Sequence, residues 1–274
     1  IDRRVPETPY VDEMKNHQPG QPGGNIRLLM GRPKDVRQLV VYGYARLVGF
    51  NAKMELEADI LQSYEVEEGR IFTFHLRPGH RWSDGQPFTS EDFRYYWEDV
   101  ANNRELYRFG PPHNLVVNGK PAKFEILGPD AVRYSWDAPN PDFLAALAGP
   151  RPLYIYRPAH YLKQFHARYQ DKTRLKSLVK KAKTRKRNWA ALHQRKDHQY
   201  KNDNPDLPTL QPWYPVTESP SERFLFKRNP YYHRIDPMGN QLPYIDEVEI
   251  QIASSKLIPA KTGAGESDLQ GRSL

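Results

Sequence analysis

The chain has 274 residues, 38% apolar and 12% aromatic, enough to fill a sizeable core and to exclude disorder along its whole length. It contains no cysteine, which excludes a disulfide framework, a thiolate zinc site and a cysteine nucleophile, and no apolar run long enough for a membrane-crossing helix. The net charge of +8 is local, because residues 163–197 hold more positive charge than the whole chain and leave the remainder slightly acidic.

Residues 1–24, with the turn-rich HQPGQPGG, predict an irregular opening that lacks the charged-then-apolar pattern of a signal peptide, so any export signal is expected to have been removed. Residues 25–30 (NIRLLM) read as a buried strand entered through Gly23 and Gly24, and residues 36–48 as an apolar, aromatic stretch at near-helical spacing. Residues 64–66 and 71–76 predict a hairpin closed at Glu67-Glu68-Gly69-Arg70, with Phe72, Phe74 and Leu76 on one face. After a turn at Ser83-Asp84-Gly85, Thr89-Ser90-Glu91-Asp92 has the form of a capping box opening a helix over 90–101.

Residues 124–127 and 131–136 form a second strand pair around Gly128-Pro129-Asp130, and 141–148 suits a short helix. Residues 161–192 read as helical with a break near Thr184. Leu175, Leu178, Val179 and Ala182 fall at helical spacing, giving an apolar stripe beneath a solvated basic face. Residues 224–227 and 248–252 alternate as strands around a long loop over 229–243.

The nine histidines have no metal-ligand spacing, and there is no GxGxxG after a strand, no phosphate loop and no GxSxG, so no metal or cofactor is expected. No carboxylate pair stands out for glycoside chemistry. The basic run over 172–196, with Trp189 and nearby tyrosines, offers an alternative function, an interaction module for nucleic acid or anionic surfaces.

Residues 58–100, ADILQSYEVEEGRIFTFHLRPGHRWSDGQPFTSEDFRYYWEDV, closely resemble the segment of family 5 solute-binding proteins that reads TFxLRxGxxWxDGxPxTAxDFxYxW. Residues 224–250, FLFKRNPYYHRIDPMGNQLPYIDEVEI, are similar to the family's second signature, and Gly265-Glu266-Ser267-Asp268 looks like its GEiD. The resemblance implies a mixed α/β (α+β) fold, a periplasmic-binding-protein-like lobe I with a twisted mixed sheet and a β-rich subdomain, the second lobe being absent from this chain. On that pattern residues 25–50 and 225–274 form the main subdomain, and 51–224 the smaller one with a basic helical insertion at 161–197.

The implied function is non-enzymatic: capture of a peptide-like, opine-like or oligosaccharide ligand outside the cytoplasmic membrane and delivery to the permease subunits of an ABC importer, by a monomer that binds no nucleic acid. In the family, the loop after the first strand and the following helix start face the ligand cleft. That role falls here on Arg32, Lys34 and Asp35, followed by Tyr42 and Tyr44; a basic pair could hold a carboxylate while a ring stacks on the ligand. Tyr107, Arg151, Tyr154 and Trp213 are the further candidates, Trp213 lying where residues 207–215 (LPTLQPWYP) depart from the family's glycine-rich turn. Trp82-Ser83-Asp84-Gly85 is read as structural, its tryptophan closing a core.

Overall fold

Two residues at positive φ twist a hairpin turn in the same sense as its strands, and Glu68 and Gly69 adopt φ of 51° and 64° between the strands Leu61–Glu67 and Ile71–Leu76. Phe72, Phe74 and Leu76 are buried along the second strand as their alternation predicts. The computed structural model describes residues 4–14, 18–182, 184 and 186–272; Lys183 and Arg185 of the basic run lie outside the described residues. Among the described residues the chain divides into two compact units, one of residues 1–5, 9–45 and 198–274, the other of 6–8 and 46–197.

The first unit is built on a mixed four-stranded sheet in the order Trp213–Pro215, Arg223–Arg228, Glu247–Ile252, Asn25–Met30, in which only the last pair is parallel. Leu28, Met30, Phe224, Phe226, Val248 and Ile250 bury its inner face against Val36 and Leu39. A 3-10 turn, Pro33–Arg37, leads into the helix Gln38–Gly43. The near-helical stretch stops there because Tyr44 takes a left-handed conformation at φ 43°. The helix end is pressed against Pro212, whose ring would lie 2.6 Å from any Cβ at Gly43. The opening segment is less irregular than its composition suggests, since Tyr10–Val11 pairs in parallel with Arg234–Ile235.

Residues 198–224, which the sequence places with the smaller subdomain, pack in this first unit. The reason lies in the sheet, where Trp213–Pro215 pairs with Arg223–Arg228.

The second unit carries an antiparallel sheet in the order Leu61–Glu67, Ile71–Leu76, Ala131–Ser135, Lys123–Gly128. Phe143, from the short helix Phe143–Ala148, meets Phe72 and Trp136 edge-on at 5.1 and 5.0 Å. The capping box forms: the Thr89 hydroxyl accepts from the Glu91 N–H, and Asp92 Oδ2 accepts from the Thr89 N–H at 3.0 Å. Trp82, fully buried, donates its Nε1–H to the same carboxylate at 3.2 Å, so the conspicuous tryptophan is tied to the helix start. The helix runs Ser90–Arg94 and then widens to π-turns over Tyr95–Ala101.

The 161–192 region is more divided than its periodicity suggests, into Ala159–Leu162, Lys163–Phe165, Lys172–Lys181 and Trp189–Lys196. His166 interrupts it by accepting the Arg168 N–H on Nδ1, and Asp171 and Asn188 cap new helices with their side chains. Among the described residues no helix is long and apolar enough to cross a membrane.

Candidate functional site

In the first unit the strand Asn25–Met30 delivers the chain at its C-terminal end into a tight loop. Pro33 fixes the first turn of the 3-10 segment that follows, so Arg32, Lys34, Asp35 and Arg37 leave the backbone within a few residues of one another. They line a cavity of about 260 Å³ together with Gly31, Ser255 and Arg272. Asp35 sits 3.8 Å from the Arg272 guanidinium and is the sole carboxylate among the cavity's lining residues, which include four cationic side chains. The Nε–H of Arg37 is buried with no hydrogen-bond partner among the described residues. A planar guanidinium beside a second cation is the arrangement that holds a carboxylate or phosphate through paired N–H···O bonds.

The sequence candidates of this unit separate into two groups. Arg32, Lys34 and Asp35 converge on the cavity. Tyr42, 39% exposed, places its hydroxyl beside Gly271, next to Arg272 of the cavity wall. Tyr44 and Trp213 are not among the residues lining that cavity: the Tyr44 backbone carbonyl accepts from Arg234 Nη2 at 2.8 Å, and Trp213 donates its Nε1–H to the Ile245 carbonyl at 3.0 Å while its ring rests on the sheet core. Arg37, Ser255 and Arg272 were not singled out from the sequence. Arg37 could have been found from its place two residues after Asp35, whereas Arg272 reaches the cavity only through the fold.

A bidentate ion pair holds the segment that carries Arg272. Arg27 Nη2 and Nε donate to the two oxygens of Asp268 at 2.7 and 3.0 Å, and the Arg27 backbone N–H adds a third bond at 2.8 Å. Hydrogen bonding from Arg27 holds the Asp268 carboxyl well down, at about 2. Gln270 then bridges the Leu29 peptide, accepting its N–H and donating to its carbonyl.

In the second unit Tyr107 is half-buried after the turn that its N–H closes on the Asn103 carbonyl, and Arg151 is exposed. Tyr154 stacks edge-on against Tyr156 at 5.9 Å and gives its carbonyl to Arg157. Arg157 is buried, paired with Asp197 at 2.6 Å, and lies 4.9 Å over the ring of Tyr96. Tyr154 therefore adjoins the buried Arg157–Asp197 ion pair.

Among the described residues no group of three or more His, Asp or Glu side chains is placed to hold a metal ion. The model for bacterial extracellular solute-binding proteins, family 5 Middle, matches residues 55–272. The periplasmic alpha-galactoside-binding protein of Rhizobium meliloti is 28% identical over 228 residues, which cover 78% of this chain and 28% of that protein. The periplasmic murein peptide-binding protein MppA of Escherichia coli is 35% identical over 110 residues, 36% of this chain and 20% of that one. A solved oligopeptide-binding protein OppA superposes with a TM-score of 0.85 and 31% identity over 99% of this chain and 42% of its own length. The matches thus cover less than half the length of each of these relatives.

Proposed function

Because the chain belongs to the family 5 bacterial extracellular solute-binding proteins, we propose that it captures a small solute outside the cytoplasmic membrane, reversibly, and hands it to the permease subunits of an ABC importer. The observation that carries this reading is the agreement of the family match over residues 55–272 with a fold match to an oligopeptide-binding protein over 99% of the chain. The solute is peptide-like, opine-like or an oligosaccharide. The protein makes and breaks no covalent bond; affinity comes from burial and preorganised hydrogen bonds.

The cationic cavity supports a carboxylate on that solute, received by Arg32, Lys34, Arg37 and Arg272. Asp35 turns Arg272 toward the cavity and offers an acceptor for a ligand N–H or hydroxyl. Tyr42 supplies an exposed ring near the same wall.

Calorimetry of the chain against short peptides, opines and neutral galactosides tests both levels. A heat of binding for one class, weakened at least tenfold by Arg32→Glu when the ligand keeps its carboxylate and unchanged when that carboxylate is amidated, is the expected result. Binding of neutral galactosides that Arg32→Glu leaves intact would remove the carboxylate from the reading while leaving solute capture in place. Failure of all three classes to bind would count against capture by this chain.

A further inference from the structure

A concavity of about 730 Å³ lies in the second unit beside the helix Lys172–Lys181. Its floor is apolar, made by Leu175, Val179 and the ring of Trp189. Its rim carries Lys172, Lys176, Lys180 and Arg187, with no acidic residue among the lining. The three lysines recur every fourth residue, so they form one row down the helix, about 12 Å long at a rise of 1.5 Å per residue. Elsewhere in this unit the cations Arg94, Arg157, Lys163 and Arg168 are each paired with a carboxylate. The four rim side chains are in no ion pair among the described residues. Asp171, the acid nearest in sequence, is engaged as the helix cap by the N–H groups of Thr173 and Arg174.

Like charges four residues apart weaken a helix, so this row is an electrostatic cost that the isolated chain leaves uncompensated. We propose that the groove is a docking site for an acidic amphipathic helix of a partner protein. The occupant needs negative charge along the length of the groove and apolar side chains beside it. A helix with glutamates at four-residue spacing and leucines three positions further on supplies both rows in the register the lysines and the floor set. A fatty carboxylate carries charge at one end only and would leave most of the rim unanswered. A flat bilayer would reach the exposed lysines but not the floor between them. This site is independent of the solute cavity in the first unit.

The test is fluorescence anisotropy of a labelled peptide with that glutamate and leucine spacing, titrated with the whole chain, against a scrambled peptide of equal composition. Saturable binding at least tenfold tighter than the scrambled peptide is expected, weakened at least tenfold both by the triple variant Lys172→Glu, Lys176→Glu, Lys180→Glu and by Val179→Asn. The lysines are exposed, and unchanged melting temperatures of the variants confirm that loss of binding is not loss of fold. Equal binding of the scrambled peptide, or indifference to Val179→Asn, would reduce the effect to charge attraction without a groove and overturn the proposal. So would no saturable binding, or binding to phosphatidylglycerol vesicles in place of the peptide.

Discussion

His193 is the sharpest test of the second unit's packing. The helix Trp189–Lys196 carries it inward to zero exposure, where Nε2 meets the Tyr95 hydroxyl at 2.7 Å and the rings of His166 and Trp189 close around it at 5.6 and 6.3 Å. Burial, with the positive charges of His166 and Arg157 adding to it, pushes the imidazole down to about 3. The folded protein therefore keeps this ring neutral while the unfolded chain protonates it below about pH 6.5, and stability present above that pH is lost as pH falls toward 3. By about pH 4.5 the loss reaches roughly 2–3 kcal/mol.

His193→Gln keeps an amide able to bond the Tyr95 hydroxyl and has nothing to titrate. Urea unfolding of both proteins at about pH 7.5 and about pH 4.5, followed by tryptophan fluorescence, should show the wild-type advantage shrinking by about 2–3 kcal/mol on acidification. Trp82, Trp97, Trp136 and Trp189 lie in this unit, so the signal reports its unfolding. A difference that holds constant within about 0.5 kcal/mol would mean that the folded ring accepts a proton as freely as the unfolded one, which refutes the reasoning.

Asp92 acts in the opposite sense: burial pushes its carboxyl up to about 6 against three N–H donors, so stability should fall by about 2–3 kcal/mol as pH rises from about 4 to 6. Asp92→Asn should abolish that slope in the same urea series. Since His193 and Asp92 oppose each other, the two variants should bend the pH profile in contrary directions around a flatter wild-type curve. Asp197→Ala strands the buried charge of Arg157 and should cost about 3–5 kcal/mol by urea unfolding. Gly43→Ala drives a methyl to within 2.6 Å of the Pro212 ring and should cost about 1–3 kcal/mol, read as a lowered melting temperature of the first unit.

What could be read in advance is what neighbours in the chain decide. The capping box at Thr89 and Asp92 and the turn at Glu68 and Gly69 need only a few consecutive residues, and both form as expected. The gathering of Arg32, Lys34 and Asp35 is of the same kind, because one short turn holds them all. Partners distant in sequence decide the rest. Nothing near Trp213 in the sequence shows that its indole N–H is taken by the Ile245 carbonyl, 32 residues on, or that the Tyr44 peptide carbonyl is met by Arg234. Helical periodicity over 161–192 also says nothing of the hydrogen bond by which the His166 ring takes the Arg168 N–H and ends the first helical piece.

The strand Asn25–Met30 stands at the margin of its sheet, where unpaired peptide groups would ordinarily offer a template to another chain. Asp268 and Gln270 answer the outward N–H groups of Arg27 and Leu29 from their side chains, and Gln270 does so with an amide that imitates a peptide in both directions. The sheet is thereby shut without a fifth strand. Hydrogen exchange should find the Arg27 and Leu29 amides as slow as those of an interior strand, and Gln270→Ala should free the Leu29 amide while opening a route to edge-to-edge self-association.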